Sequence, residues 1–410
     1  MRKHYDSLET RDPELREGDL FARLPAQVAL ARACTAAYGL LFKDVDPLAV
    51  RSREALAQLP VVRKTELLEM QKAARPFGGF ASVGWGRDCL RVFSSPGPLY
   101  EPEGRRPDYW RMARALYAAG FRRGDLAHNC YSYHFTPAGS MMETAAHAIG
   151  CTVFPGGTGQ TEQQVQAMAE LKPAGYLGTP SFLRLILEKA DETGVALPSL
   201  TKALVSGEYF PPALRDAWVA RGIHGYQAYA TADLGLIAYE TTVRQGLVLD
   251  EGALLEIVRP GTDDLVPDGE VGEVVVTTFN TEYPLIRFGT GDLSAILPGT
   301  SPCGRTNQRI RGWLGRADQT TKVKGMFVHP SQVAEVLKRH PEIRRARLVV
   351  ENPDLNDHMT LQCETDDHTD TLAQAVVATV RDLTKLRGEV AFVASLPNDG
   401  KVIEDLRKYE

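Results

Sequence analysis

Between Arg91 and Gly235 short apolar runs alternate with longer segments of helical periodicity, and this alternation limits the fold more than any other feature. Val92-Phe93, Leu126-Ala127, Thr152-Val153-Phe154, Gly175-Tyr176-Leu177 and Ala203-Leu204-Val205 each border an amphipathic stretch. Strands that alternate with helices in this way form βαβ units, so a largely parallel sheet is expected. In an open parallel sheet the ligand crevice lies beyond the carboxyl ends of the strands, and the loops after these runs are where chemistry is expected. Upstream, Val28, Ala31, Thr35 and Tyr38 fall at helical spacing, with Pro25 suited to a first turn and Gly39 to a stop. That spacing predicts an amphipathic helix from Pro25 to Tyr38.

From Val248 to Ile296 the pattern changes to strands with turn punctuation, as in Ala253-Leu254-Leu255-Glu256-Ile257-Val258 followed by Pro260-Gly261. Antiparallel sheet or a distorted barrel is expected there. After Asp318 the order is a β-like run to Val328, a helix from about Pro330 to His340, and a strand over Ala346–Val350. A helix from about Thr371 to Lys385 and a last strand at Val390–Val393 complete it. The expected fold is therefore α/β, with a large N-terminal domain over residues 1–315 built of βαβ layers plus a small distorted β-barrel. A small α+β domain over 316–410 follows, and a chain of 410 residues exceeds one ordinary core.

Composition removes several classes. Hydrophobic residues at 43% and charged residues at 24% are ordinary for a globular protein, which argues against disorder. A net charge of −5 with scattered Lys and Arg offers no footprint for a nucleic-acid backbone. The six cysteines contain no Cys-x-x-Cys pair, so neither a zinc ribbon nor a disulfide framework is expected, and a reducing cytosol fits. No stretch approaches the roughly 18 apolar residues of a membrane span, so a soluble cytoplasmic protein without a membrane partner is expected. A homodimer is the general expectation for oligomeric state.

Four runs occur in a fixed order: Gln227-Ala228-Tyr229-Ala230-Thr231-Ala232-Asp233, Arg287-Phe288-Gly289-Thr290-Gly291-Asp292, Gly315-Arg316-Ala317-Asp318 and Pro397-Asn398-Asp399-Gly400-Lys401. Singly, each has an ordinary reading: a loop with Asp233 as a cap and Tyr229 packed, a Thr-Gly-Asp turn, an exposed basic linker, a solvated terminal lysine. Together they resemble the adenylate-forming enzymes, and over nearly the whole chain the phenylacetate-CoA ligase branch of them. The resemblance implies that the small C-terminal domain is mobile, that Asp318 is its hinge, and that Lys401 is a catalytic lysine carried to a carboxylate and ATP. It also implies that Tyr229, Ala230 and Thr231 border adenine and phosphate, that Asp233 holds Mg²⁺, that Asp292 accepts the ribose hydroxyls and that Arg316 reaches the nucleotide. Ser206-Gly207-Glu208 is similar to the family's segment beside adenine, and Tyr131, Tyr133, His134 and Phe135 to its wall against an aryl group. Aromatic residues there suit a flat apolar acid; for His134 a buried structural role is equally open.

The phosphate loop departs from the family pattern. Ser94, Ser95 and Gly97 remain as candidates for nucleotide binding, but the run reads Ser94-Ser95-Pro96-Gly97-Pro98-Leu99-Tyr100-Glu101-Pro102-Glu103. Pro96 and Pro98 have no N–H to give a phosphate oxygen, and Glu101 and Glu103 repel a triphosphate unless turned away or bridged by magnesium. Arg105 and Arg106 are candidates to replace the missing lysine. The zinc-type cluster of some relatives is reduced to Cys303, so no zinc is expected. The resemblance implies an ATP-dependent ligase joining a small carboxylic acid, aryl or arylacetic, to coenzyme A, with ATP, Mg²⁺ and CoA as cofactors. An adenylating enzyme with another acceptor, and a non-catalytic binder of an acid or nucleotide, are the alternatives.

Overall fold

The computed structural model describes residues 3–86, 88–95, 98–317, 319, 321–323, 326–353, 357–397, 399 and 401–407, with the side chains of Lys322 and Phe327 left aside. The chain divides into two compact units. The first comprises residues 1–255, 276–288 and 297–312, and the second 256–275, 289–296 and 313–410.

In the first unit, strands lie side by side in the order Thr152–Phe154, Leu126–Asn129, Gly175–Gly178, Lys202–Val205, His224–Thr231, Gly235–Glu240, Leu247–Leu249 and Arg309–Ile310. The first five are mutually parallel, and the remaining pairings are antiparallel. Side chains of a strand alternate between the two faces of a sheet, and here that alternation separates two cores. Tyr176, Ala203 and Val205 pack with Val165, Met168, Leu183, Ile186 and Trp218 of the helices Thr161–Leu171, Pro180–Glu192 and Pro212–Ala220. Leu177 and Leu204 pack with Met141, Met142 and Ala145 of helix Ala138–Ile149. Helices therefore cover both faces, as the alternation along the sequence requires.

Two sequence expectations are corrected here. Val92-Phe93 is no strand of the parallel sheet; it lies in an antiparallel hairpin, Cys89–Ser95 against Leu99–Gly104, a sheet of its own. Pro25 does not open a helix: it sits inside the helix Pro13–Cys34, whose first turn holds Pro13 and is capped by Asp12 accepting from the amides of Glu14 and Leu15. Leu20, Phe21, Leu24, Val28 and Ala31 form its buried face, and packing of that face outweighs the cost of an interior proline. Thr35 breaks the run and caps the next helix, Ala36–Leu41, in which Gly39 is an interior residue.

The turn between strands His224–Thr231 and Gly235–Glu240 carries Asp233. It closes on Gly235, at φ +73°, where a Cβ would stand 2.6 Å from the Trp110 carbonyl oxygen. Only glycine fits both constraints. Gly235→Ala is expected to lower stability by about 2 kcal/mol, read as a shifted urea midpoint at unchanged slope; an unshifted midpoint would contradict it.

The second unit contains residues 256–258, 272–275 and 289–294 as neighbouring strand segments. Its larger part is an α+β layer. Arg345–Glu351 and His358–Glu364 pair antiparallel, Glu389–Val393 runs parallel to the second of them, and Ile403–Asp405 runs parallel to the first. Helices Pro330–Arg339 and Asp370–Thr384 bring Val333, Val336, Val376 and Val380 onto Leu348, Val350, Leu361 and Ile403. The strand Ile403–Asp405 was not anticipated from sequence. Among the described residues, no helix is long and apolar enough to cross a membrane, and no group of three or more His, Cys, Asp or Glu could hold a metal ion.

Candidate active site

In the first unit the loops leaving the carboxyl ends of the parallel strands gather most of the residues singled out by sequence. Tyr131 follows strand Leu126–Asn129; its ring is buried and its hydroxyl donates to the Ser206 carbonyl at 3.3 Å. Ser206-Gly207-Glu208 follows strand Lys202–Val205, with Gly207 at φ +83°. The Glu208 carboxylate accepts from Ser181 Oγ at 2.9 Å, at the start of helix Pro180–Glu192. Tyr133 accepts from Asn129 Nδ2 at 2.8 Å and donates to Glu143 at 2.7 Å, and burial followed by that hydrogen bond to Glu143 pushes its phenol well above the usual range. His134 and Phe135 are exposed, so the buried reading of His134 does not hold. Ser132, Tyr133 and His134 line a cavity of about 400 Å³ together with Phe154, Gly156 and Gln163.

Tyr229, Ala230 and Thr231 end strand His224–Thr231, where the register slips between Tyr229 and Ala230. Thr231 Oγ1 accepts from the Leu234 amide at 3.1 Å, which shapes the Asp233 turn. Asp233 is buried. Its Oδ2 accepts from Lys64 Nζ at 2.7 Å, and its Oδ1 has no hydrogen-bond partner among the described residues. The 89–104 hairpin lies close enough to this turn for the Asp233 charge to act on its Glu101. Ser94 donates its amide to the Phe135 carbonyl, and Ser95 Oγ donates to Glu101. Glu101 is fully buried, its Oε2 has no hydrogen-bond partner among the described residues, and burial, followed by the Asp233 charge, pushes its carboxyl up to about 8. Glu103 is buried too, but accepts from Ser140 Oγ at 2.9 Å and Arg91 at 3.1 Å. Arg105 and Arg106, the candidates for a replacement lysine, donate to the Gly86 carbonyl and to Asn280 Oδ1. Gly97 lies outside the described residues.

The Glu101 environment sets a pH dependence in metal-free buffer. A carboxyl whose folded value lies near 8, against about 4.3 when unfolded, adds stability that is fully present below about pH 4. That stability is lost as pH rises through 8. Unfolding free energy is expected to fall by up to about 1.4 kcal/mol per pH unit in this window, and Glu101→Gln to flatten the slope. Denaturation series at stepped pH check it, and equal slopes in the two proteins would contradict it.

In the second unit Asp292 sits on strand Phe288–Ser294. Its Oδ1 accepts from Arg316 Nη1 at 3.0 Å and from Trp313 Nε1 at 3.1 Å, while its amide donates to Thr290 Oγ1. Gly291 makes room for this approach: a Cβ there would stand 2.7 Å from Arg316 Nη2. Lys401 is half exposed. Its Nζ donates to Glu404 at 2.5 Å and its amide to Asp399 Oδ1 at 3.1 Å, while its carbonyl accepts from Arg347. Arg347, nearly buried, also binds Asp399, Glu404 and the Pro397 carbonyl, and so holds the lysine turn in shape. Gln319 accepts from the amides of Val402 and Ile403 just beyond the lysine. Asp318 lies outside the described residues.

Sequence reasoning missed Lys64, Glu101 as an inward-facing residue, Trp313 and Arg347. Lys64 and Asp233 are 169 residues apart and Arg347 and Asp399 are 52 apart, and no local pattern links either pair.

The AMP-binding enzyme family matches residues 109–281. The phenylacetate-coenzyme A ligase of Aromatoleum evansii is 31% identical over 349 residues, 82% of this chain and 74% of that protein. The phenylacetate-coenzyme A ligase of Thermus thermophilus is 32% identical over 73% of this chain and 69% of its own length. Among solved structures, 2-hydroxyisobutyryl-CoA ligase in an open conformation, in complex with 2-HIB-AMP and CoA, gives a TM-score of 0.74 at 25% identity. That match covers 96% of this chain and 91% of that one.

Proposed function

The chain belongs to the phenylacetate-CoA ligase family of AMP-binding enzymes, and from that premise we propose that it joins a small aryl or arylacetic acid to coenzyme A using ATP. A carboxylate oxygen of the acid attacks the α-phosphorus, the bond to the bridging oxygen breaks, and pyrophosphate leaves an acyl-adenylate. The CoA sulfur then attacks the acyl carbon, AMP departs with the bonding pair, and the thiol proton passes to solvent.

The observation that carries this reading is the meeting of two separate motifs at Asp292 and Arg316, which approach to 3.0 Å across 24 residues of sequence. A carboxylate has two oxygens suited to a vicinal diol, and Arg316 and Trp313 both donate to Asp292 Oδ1, which fixes the orientation of the group. Tyr229 offers a ring face for adenine beside Ser206, Gly207 and Glu208, while Ala230 and Thr231 let backbone approach the phosphate. Tyr131, Tyr133, His134 and Phe135 border the acid. Asp233 suits Mg²⁺, because its buried Oδ1 is a hard oxygen without a hydrogen-bond partner among the described residues; an ion held there would supply positive charge against the phosphates. Lys401 stabilises the charge that grows as pyrophosphate leaves, and Asp318 is the hinge of a mobile 316–410 segment.

The prolines at 96 and 98 favour a second reading, a binder that has lost ATP chemistry, because neither can donate an N–H to phosphate. Acid-dependent exchange of labelled pyrophosphate into ATP separates the two. Exchange with aryl or arylacetic acids, followed by CoA thioester formation, is the expected result. Exchange without a CoA product points to another acceptor. Folded protein that exchanges with no acid overturns the ligase reading in favour of the binder.

A further inference from the structure

Two buried carboxylates beside the Asp233 turn are left with unmet oxygens. Glu101 is fully buried; one oxygen accepts from Ser95 Oγ and Oε2 has no partner among the described residues. Asp233 gives Oδ2 to Lys64 at 2.7 Å, and Oδ1 has none. The two are near enough for the Asp233 charge to act on Glu101, and the fully buried Tyr283 phenol lies in the field of both. With Lys64 on Asp233 Oδ2, the buried oxygens Asp233 Oδ1 and Glu101 Oε2 remain without a hydrogen-bond partner among the described residues. Glu103, two residues along the same strand, gives the contrast: it is equally buried, yet Ser140 and Arg91 meet its oxygens. An unmet buried oxygen is costly because burial strips its water without replacing it, so the Glu101–Asp233 arrangement is one that a cation would relieve.

We propose that Glu101 is a second carboxylate ligand, beside Asp233, for the divalent cation that accompanies ATP. This rests on the ligase reading. Mg²⁺ takes one or two carboxylates together with phosphate oxygens and water. Asp233 Oδ1 and Glu101 Oε2 supply such a pair while Lys64 stays on Asp233 Oδ2. The altered hairpin thereby holds phosphate through a metal, where Pro96 and Pro98 have no N–H to give. Glu101 and Glu103 divide the two roles open to acids in that segment: Glu103 is turned into a protein network and Glu101 faces the ion.

The test is Mn²⁺ binding to the full chain, followed by the free-ion electron paramagnetic resonance signal, in the presence of the β,γ-methylene analogue of ATP. One Mn²⁺ per chain is expected beyond that held by the analogue alone. Glu101→Gln and Asp233→Asn are each expected to weaken it by about tenfold or more, with Glu103→Gln unchanged. Glutamine matches glutamate in shape; should Glu101→Gln fail to fold, Glu101→Asp, which keeps the carboxylate but withdraws it by one methylene, is the second variant and is expected to weaken ion binding as well. Wild-type protein that adds no Mn²⁺, or Glu101→Gln binding as tightly as wild type, overturns the proposal. Pyrophosphate exchange alongside metal binding indifferent to Glu101→Gln sinks this inference and leaves the ligase reading intact. Metal binding weakened by Glu101→Gln in a chain that adenylates no acid upholds the site and sinks that reading.

Discussion

Lys401→Ala is expected to exchange pyrophosphate into ATP about 10²–10³ times more slowly than wild type, a loss of about 3–4 kcal/mol of transition-state stabilisation. The ammonium is half exposed and rests on Glu404, an arrangement that adds little to folding because solvent screens it. The unfolding midpoint should therefore stay where it is while the rate collapses. That separation identifies a group acting on charge that develops in the reaction. The turn around it is held by Arg347 through Asp399, Glu404 and the Pro397 carbonyl, so the lysine is presented from a fixed base. Exchange by Lys401→Ala within a factor of about three of wild type would remove Lys401 from the catalytic step.

Asp292→Asn is expected to weaken AMP binding by about 10–150-fold, corresponding to hydrogen bonds to a charged acceptor at about 1.5–3 kcal/mol. AMP is the informative probe because it carries the ribose without the β- and γ-phosphates, so the altered phosphate segment has little part in the result. Asparagine keeps the shape but presents one acceptor oxygen, and Arg316 and Trp313 already donate to Oδ1. The variant amide then either turns its NH₂ toward those donors or turns it toward the ribose, and both lose a bond. Arg316 is about half exposed, so stability should fall only slightly. Calorimetric titration with AMP reads the affinity, and an unchanged dissociation constant would take Asp292 out of the nucleotide site.

Much of the fold was legible because its causes are local. The runs at Leu126, Thr152, Gly175 and Ala203 became neighbouring parallel strands, since short β-branched and apolar segments between amphipathic helices have few other ways to bury both faces. The helices near Pro330 and Thr371 followed from their periodicity. Val92-Phe93 misled for the same reason: alternation over a few residues fits an isolated hairpin as well as a sheet strand, and only its partner, Leu99–Gly104, decides between them. Pro25 misled because its local cost was outweighed by the buried face of a helix that begins twelve residues earlier, at Pro13.

Sequence by itself determined the layered α/β order, the family and the chain positions of Tyr229, Asp233, Asp292, Arg316 and Lys401, because each depends on residue type, spacing or order along one strand of text. Only the tertiary structure decided which charges face one another. Lys64 meets Asp233, Arg347 holds the lysine turn, and Glu101 turns inward while Glu103 is tied to Ser140 and Arg91. Those pairings are long-range, and in an unfolded chain every one of these groups is satisfied by water. Burial removes the water, and an oxygen such as Glu101 Oε2 becomes unmet only when packing has fixed what stands around it.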